Sequence, residues 1–155
     1  MIKKSIYDKL RFQDELWLDS IGFAYGEDQL ETYKIYKNGF KLGVLLNSGI
    51  INLDAKTDSN NYLRNKNRIY IRTKVFFVIW WRSIFKSQPS NFNRFLSGVS
   101  FFIKSLWTTI PICIFSLKSL SFNPLIQYIR GNIDGWNFVH FSQFKSLPPY
   151  VISKT

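Results

Sequence analysis

The chain has 155 residues, enough for one domain or for one small domain with an extension. Its 21 Lys and Arg against 10 Asp and Glu give a formal net charge of +11. Its single Cys and single His exclude an internal disulfide, a cysteine zinc site and a His-pair metal site.

The side chains on which most catalytic sites depend are scarce. Asp134 is the only acid after Asp58, which excludes a carboxylate pair in the second half of the chain. His140 lies in an aromatic and aliphatic segment, as a packed histidine would. Gly39 and Gly43 flank a basic and apolar stretch without the Lys-Ser/Thr ending of a phosphate-binding loop. We therefore predict a non-catalytic subunit of a larger assembly, with no cofactor, no metal and no small-molecule substrate.

The charge is distributed unevenly along the chain. Residues 1–58 carry eight Lys or Arg and nine Asp or Glu, whereas residues 59–155 carry thirteen and one. We predict two regions with this boundary: a mixed acidic and basic amphipathic region, 1–58, and a basic aromatic region with an extended C-terminus, 59–155. Eleven basic residues and no acid lie between Asp58 and Asp134. Such a run indicates a polyanionic partner, either RNA phosphates or the anionic headgroups of a membrane.

The first predicted element is an amphipathic helix over residues 5–21, with large apolar side chains on one side of the helical wheel and acids on the other. The apolar side chains are Ile6, Leu10, Trp17 and Ile21. Residues 29–37 suit a strand or a helix, and Asn38-Gly39 is a turn signal after them. A polar, Asn-rich loop is predicted over residues 54–67.

The next segment, residues 69–85, is apolar and aromatic but contains Arg72, Lys74 and Arg82. It suits a buried strand or helix with charged ends, or an element that presents arginines to phosphates beside stacking aromatic rings. The predicted RNA-binding residues are Lys37, Lys41, Arg64, Lys66, Arg68, Arg72, Lys74, Arg82, Lys86 and Arg94.

An apolar stretch of 23 residues, 95–117, has the length of a membrane span. Twelve of its residues are Leu, Ile, Val or Phe and favour insertion by about 4 to 7 kcal/mol in all. Lys104, near the middle, costs about 2.5 to 3.5 kcal/mol, and the Ser and Thr residues with Pro111 offset most of the remainder. Two alternatives follow: a membrane-spanning helix, or a helix before Thr108 and a strand after it.

The last third of the chain has turn signals at Asn123-Pro124, Gly131-Asn132 and Asp134-Gly135 and ends near Pro148-Pro149. It predicts loops and short strands laid on a partner surface. The predicted fold class is therefore α+β, with an amphipathic N-terminal helix, a small mixed core and an irregular basic C-terminal extension.

The string from Lys34 to Leu46 resembles the amino-terminal signature of the KH-domain protein family of the small ribosomal subunit. An Asn-Gly, apolar, basic, Leu-Gly pattern carries the resemblance, matched here by Asn38, Gly39, Phe40, Lys41, Leu42 and Gly43. The segment from Arg68 to Lys74 is similar to the basic helix of that family after a shift in register. The family's Gly-x-x-Gly loop is absent, so the resemblance implies an amino-terminal fragment and not a KH domain.

The composition, with abundant Asn, Lys, Ile, Phe and Tyr, two alanines and five Trp, indicates an AT-rich organellar genome that reads a stop triplet as Trp. An AT-rich bacterial or viral genome is the alternative. We expect a mitochondrial protein, organelle-encoded, in the matrix or at the inner-membrane face. The resemblance and the basic second half favour a structural constituent of an organellar ribosome that contacts rRNA phosphates and neighbouring ribosomal proteins. The alternative is a small membrane-associated accessory subunit of a respiratory complex, in contact with anionic lipid and other subunits.

Overall fold

A computed structural model describes residues 4–15, 17, 27–41, 43 and 66–151. Within these ranges the chain forms helices and no strand, so the predicted α+β class is wrong and the described part is all-helical. The elements are α1 (Lys4–Leu10), a 3-10 turn (Phe12–Glu15), α2 (Glu27–Lys37), α3 (Lys66–Trp80) continued by a π-helical turn (Trp81–Phe85), α4 (Asn91–Lys118), α5 (Asn123–Val139) and α6 (Ser142–Lys145).

The two segments that suited either a strand or a helix, 29–37 and 69–85, are both helical. The predicted helix over residues 5–21 is shorter than expected, because α1 ends at Leu10 and Arg11 takes a left-handed conformation with φ 51°. The 3-10 turn that follows directs Glu15 into the protein, where it is buried. Residues 16 and 18–26 of that predicted helix, and the predicted loop up to residue 65, lie outside the described residues.

The turn predicted at Asn38-Gly39 is confirmed and ends α2. Gly39 has φ 82°, a conformation that a residue without Cβ adopts at little cost. The Gly39 amide donates to the Tyr36 carbonyl and the Phe40 amide donates to the Ile35 carbonyl. This pair of bonds is the Schellman motif, which satisfies carbonyl groups that the end of a helix leaves without partners.

The predicted irregular C-terminal extension is wrong where residues 123–139 form the regular helix α5. Its turn signals have other roles in a helix. Pro124 lies in the first turn, where its missing amide has no intrahelical partner to lose. Gly131 and Gly135 lie four residues apart on one helix face and are both buried.

Helix α3 lies at the centre of the core. On one side Val75 and Ile79 pack with Leu30 of α2 and with Tyr150. On the other side Phe77 and Val78 pack with a second cluster that includes Val139 of α5. The predicted boundary between residues 58 and 59 lies outside the described residues, but Leu30 and Tyr150 show that the two predicted regions share a core.

Two glycines bring α5 close to α3. A Cβ atom at Gly131 would lie 2.7 Å from the carbonyl oxygen of Tyr70 and 2.9 Å from Thr73 Cβ. A Cβ atom at Gly135 would lie 3.0 Å from Phe77 Cβ. The contact at Gly131 is with a backbone atom, which cannot turn away as a side chain can. A side chain at position 131 would therefore require one of the two helices to move.

We predict that Gly131→Ala destabilises the protein by about 1 to 3 kcal/mol, the usual cost of overpacking a dense core. Gly135→Ala should cost less, since it meets a side chain. Thermal unfolding followed by circular dichroism measures both effects.

The matched control is Gly98→Ala in α4, where a Cβ atom meets nothing within 4 Å. Alanine is the better helix former by about 1 kcal/mol, so this variant should be neutral or more stable. An equal loss of stability in Gly98→Ala and Gly131→Ala would contradict the close packing of α5 on α3.

Candidate functional site

Helix α4 presents an apolar surface that the rest of the described chain does not cover. It is 28 residues long, and its most apolar stretch of 18 residues has a mean hydropathy of 1.5 and is only 6% buried. Among the helices within the described ranges, it alone is long and apolar enough to cross a membrane. Its exposed large side chains, here called the outer face of α4, are Phe92, Phe95, Leu96, Val99, Phe102, Ile103, Leu106, Trp107, Ile110, Ile114 and Leu117.

The opposite, inner face of α4 carries mostly small and hydroxyl side chains, with Phe101 and the buried Ile112 among them. Ser116 is buried, and Ser97, Gly98, Ser105 and Thr109 are partly buried on this side. The Thr109 hydroxyl donates to the Ser105 carbonyl at 2.7 Å, within the helix. A helix at the surface of a water-soluble protein normally has the reverse arrangement, with its apolar stripe facing the core. The polarity of α4 is therefore inverted relative to a helix that packs in water.

Polar contacts connect the inner face of α4 with α5. The Ser105 hydroxyl lies 2.6 Å from the Tyr128 hydroxyl, and the Thr108 hydroxyl lies 3.1 Å from it. The Tyr128 hydroxyl also donates to the Ser105 carbonyl at 3.1 Å. The hydroxyl groups in the middle of α4 thus have partners inside the protein, whereas the Ser97 and Ser116 hydroxyls, nearer its ends, are buried without a hydrogen-bond partner.

Lys104, the one charge within the apolar stretch, lies beside the outer face and not in its centre. It lines a cleft of about 690 Å³ between α3, α4 and α5, together with Arg72, Ser105, Thr108 and Tyr128. Its side chain is exposed, and most of the cleft is lined by apolar side chains such as Phe76, Trp80 and Phe101. Pro111 lies on the same cleft, and α4 continues through it as one helix, so the predicted strand after Thr108 is wrong.

The predicted RNA-binding residues have different surroundings. Lys41, Arg68 and Lys86 are exposed, Lys37, Arg72, Lys74 and Arg94 are half-buried, and Arg82 is buried. Arg64 lies outside the described residues, and Lys66 is described only as the first residue of α3.

Several of these cations lie over aromatic rings of their own chain. Lys74 Nζ is 5.4 Å from the Phe138 ring and Lys86 Nζ is 5.8 Å from the Trp81 ring. Arg72 lies 5.3 Å from the Phe76 ring. Each contact of this kind contributes roughly 0.5 to 1 kcal/mol at an exposed site. Some of the basic residues that alternate with aromatic residues in the sequence therefore form cation–π contacts within the protein.

Arg82 belongs to a buried cluster centred on Glu15. Its NH2 group lies 2.9 Å from the Glu15 carboxylate, Lys34 Nζ lies 2.8 Å from it and Trp17 Nε1 lies 2.7 Å from it. Arg82 also donates to the Pro148 carbonyl at 2.7 Å. Glu15, Lys34 and Arg82 are 5%, 1% and 6% exposed. The Arg82 guanidinium is therefore held inside the protein.

Two ionisable groups of this cluster have shifted pKa values. Burial by itself raises the pKa of Glu15, but hydrogen bonds and charge from Arg82, with hydrogen bonds from Lys34 and Trp17, outweigh it, and the net pKa is lowered. Burial, reinforced by the charge of Glu15, raises the pKa of the Tyr150 phenol. The protonated phenol donates to the Leu30 carbonyl and so ties the C-terminal segment to α2.

No protein-family model, no curated protein and no solved structure matches the chain. The resemblance at Lys34–Leu46 stays a prediction. Of its residues, Asn38 and Gly39 form the turn after α2, while residues 42 and 44–46 lie outside the described ranges. Function is therefore inferred below from the side chains and their surroundings.

The sequence pattern did not single out Glu15 or the inner face of α4. Glu15 and Arg82 are separated by 67 positions, and no local pattern connects them. The inner face does have a signal: Gly98, Ser105 and Ile112 recur every seven residues, as do Phe101 and Thr108, which places them on one side of a helix. The spacing of small and hydroxyl residues indicates this face only once the segment is known to be one helix.

We predict that Glu15→Gln destabilises the protein by about 3 to 5 kcal/mol, because it leaves Lys34 and Arg82 buried without an anion. Chemical unfolding followed by tryptophan fluorescence measures the change. The control is Asp14→Asn, which removes the neighbouring carboxylate from its exposed pair with Arg11 at 3.1 Å and should cost at most about 1 kcal/mol. Equal effects of the two substitutions would contradict the role of the buried cluster.

Stability should also fall in acid, and the direction follows from the lowered pKa of Glu15. A carboxyl whose folded pKa lies below its unfolded pKa stabilises the protein above the unfolded value, and this contribution is lost as the pH falls through the folded value. The free energy of unfolding, measured from about pH 7 to about pH 3, should decline over that acidic range. In Glu15→Gln the free energy of unfolding should decline less over this range. If it declines as much as in the natural chain, other carboxyl groups cause the pH dependence.

Proposed function

We propose that the chain is a membrane-embedded, non-catalytic subunit of a larger assembly, with α4 lying across a lipid bilayer. The observation that carries the proposal is the polarity of α4: large apolar side chains are exposed along the whole helix, while the Ser105 hydroxyl, in its middle, contacts Tyr128 on the side that faces the protein. Lipid is the surrounding that such a face favours, since it exposes apolar side chains at no cost.

The length of the apolar stretch supports a bilayer as the partner. Residues 95–117 rise about 34 Å as a helix, against a hydrocarbon thickness of about 30 Å. Arg94 precedes this stretch and Lys118 follows it. Basic side chains at both ends of an apolar helix reach the headgroup regions, where anionic lipids attract them.

Water is a poor alternative surrounding for the outer face. Its side chains are between 40% and 76% exposed, and they are contiguous along the helix. A monomeric soluble protein rarely exposes more than a few hundred Å² of contiguous apolar surface. The Ile126, Ile129, Ile133 and Trp136 side chains of α5 are also about half exposed and add to the apolar surface.

A structural role in an organellar ribosome, which the sequence predicts, would leave the outer face of α4 without a partner. Phosphate contacts would engage exposed cations such as Lys41, Arg68 and Lys86, whereas the outer face of α4 has no charge to offer. Membership of a respiratory complex and a mitochondrial location are parts of the proposal that rest on the composition of the sequence. The basic residues on either side of α4 would then contact anionic lipid and neighbouring subunits.

We expect the chain to stay in the membrane pellet after washing with high salt and then with alkaline carbonate. Ile103→Lys, in the centre of the outer face, should release it. The substitution replaces an apolar side chain, 60% exposed in the isolated chain, with a charge that costs about 3 to 4 kcal/mol in lipid.

The control is Gln143→Lys, which adds the same charge at an exposed position outside α4 and should leave the chain in the pellet. If α4 faced water, Ile103→Lys would be neutral or would improve solubility. Retention of Ile103→Lys in the pellet would overturn the proposal. So would release of the natural chain by salt together with ribosomes, which would support the ribosomal prediction instead.

A further inference from the structure

A second cleft, distinct from the one beside Lys104, lies at the C-terminal ends of α3 and α5. It has a volume of about 580 Å³. It is lined by the first two residues of the π-helical turn and the two residues after that turn, by Val139 and His140, by α6 and by residues 147 and 149–151. We call it the Lys86 cleft. Its volume falls within the range of small-molecule and lipid sites.

The wall and the rim of the Lys86 cleft differ in character. Trp81, Val139, Phe144 and Tyr150 form a largely buried apolar wall. Lys86 and Lys145 also line the cleft, and both are exposed. The cleft is therefore amphiphilic, with an apolar floor and a basic rim.

Three cationic side chains line the cleft, and two of them are available to a ligand. Arg82 lines the cleft as well, but the Glu15 carboxylate and the Pro148 carbonyl hold its guanidinium. No Asp or Glu is among the residues that line this cleft in the described part of the chain. Two lysine charges thus face the cleft without an acidic side chain to balance them, which favours an anionic ligand.

The position of the cleft along α4 indicates which anion is available. Lys86 follows the π-helical turn, and α4 begins soon after it at Asn91. Phe85, next to Lys86, lines a cleft with Asn91 and Arg94, so the Lys86 side of the rim lies near the end of α4 where Arg94 precedes the apolar stretch. If α4 crosses a bilayer, this end is at the level of the lipid headgroups, where phosphate groups and the first part of acyl chains occur together.

We propose that the Lys86 cleft binds one anionic phospholipid, with Lys86 and Lys145 on the phosphate and the apolar wall against the acyl chains. The proposal rests on the membrane function proposed above. Basic pockets beside membrane helices bind phosphate headgroups in this way, by charge and by hydrogen bonds from the ammonium groups. Trp81 beside Lys86 adds an amphipathic ring of the kind found at the membrane–water boundary.

The test uses the full chain in neutral detergent with phosphatidylglycerol or phosphatidylcholine of short acyl chains as probes. We expect the chain to bind phosphatidylglycerol more tightly. The double variant Lys86→Gln with Lys145→Gln should weaken that binding about 30-fold, since two lysine contacts are lost. The matched control is Lys4→Gln with Lys9→Gln, which removes two exposed lysines of α1 and should leave the affinity unchanged.

Lys86→Arg with Lys145→Arg, which keeps the charge, should restore binding and separates loss of the site from loss of the fold. Equal weakening in both glutamine variants, or equal binding of the two lipids, would overturn the inference. Displacement of the lipid by inorganic phosphate would assign the cleft to free phosphate. Displacement by a single-stranded RNA oligomer would assign it to nucleic acid. Either result would overturn a lipid site.

Carbonate extraction of the same variants keeps the two proposals apart. A chain that stays in the membrane but does not distinguish the two lipids contradicts only the Lys86 cleft as a lipid site. A chain that carbonate releases contradicts the membrane function on which that site depends.

Discussion

The carboxylate of Glu15 makes it possible for a strongly basic chain to bury an arginine and a lysine in its core. Lys34 and Arg82 are almost inaccessible, and each lies within hydrogen-bonding distance of this one group. Two cations share one anion, so the remaining positive charge is balanced by dipoles such as the Pro148 carbonyl and by the face of the Tyr150 ring. The cluster joins the N-terminal segment, α2, the π-helical turn and the C-terminal segment. We infer that it fixes their mutual arrangement more than it adds to stability.

The orientation of α3 follows from this cluster, and the exposure of α4 follows from the orientation of α3. In the π-helical turn three consecutive residues, Trp81 to Ser83, are buried. With Arg82 directed to Glu15, the opposite side of α3 is left for the glycine face of α5. Phe101 of α4 then stacks on Trp80 at 4.1 Å, and Ser105 meets Tyr128. Contacts with α3 and α5 thus occupy the inner face of α4, and the apolar side chains of its outer face stay exposed.

The sequence predicts some of these features and not others, for physical reasons. The Asn38-Gly39 turn is local and was predictable, because few residues other than glycine adopt its left-handed backbone conformation easily. Residues 69–85 were not assignable, since β-branched and aromatic residues suit a buried strand as well as a buried helix. The sequence predicts turns at Gly131 and Gly135, whereas in the structure these glycines allow α5 to pack closely against α3. The Glu15–Arg82 pair spans 67 positions, and only the folded chain brings it together.

The energy of inserting α4 into a membrane likewise depends on contacts that the sequence alone does not show. The sum over the sequence is near zero because it treats every residue of 95–117 as facing lipid, hydroxyl groups included. In the folded chain Ser105 and Thr108 bond to Tyr128, so their cost in lipid is largely removed. Lys104 is exposed beside a largely apolar cleft, so its charge remains a cost of insertion. The outer face consists of apolar side chains, and its transfer from water to lipid is favourable. Packing decides which residues meet the solvent, so the arrangement of the polar residues around α4 supports insertion where their number alone leaves it undecided.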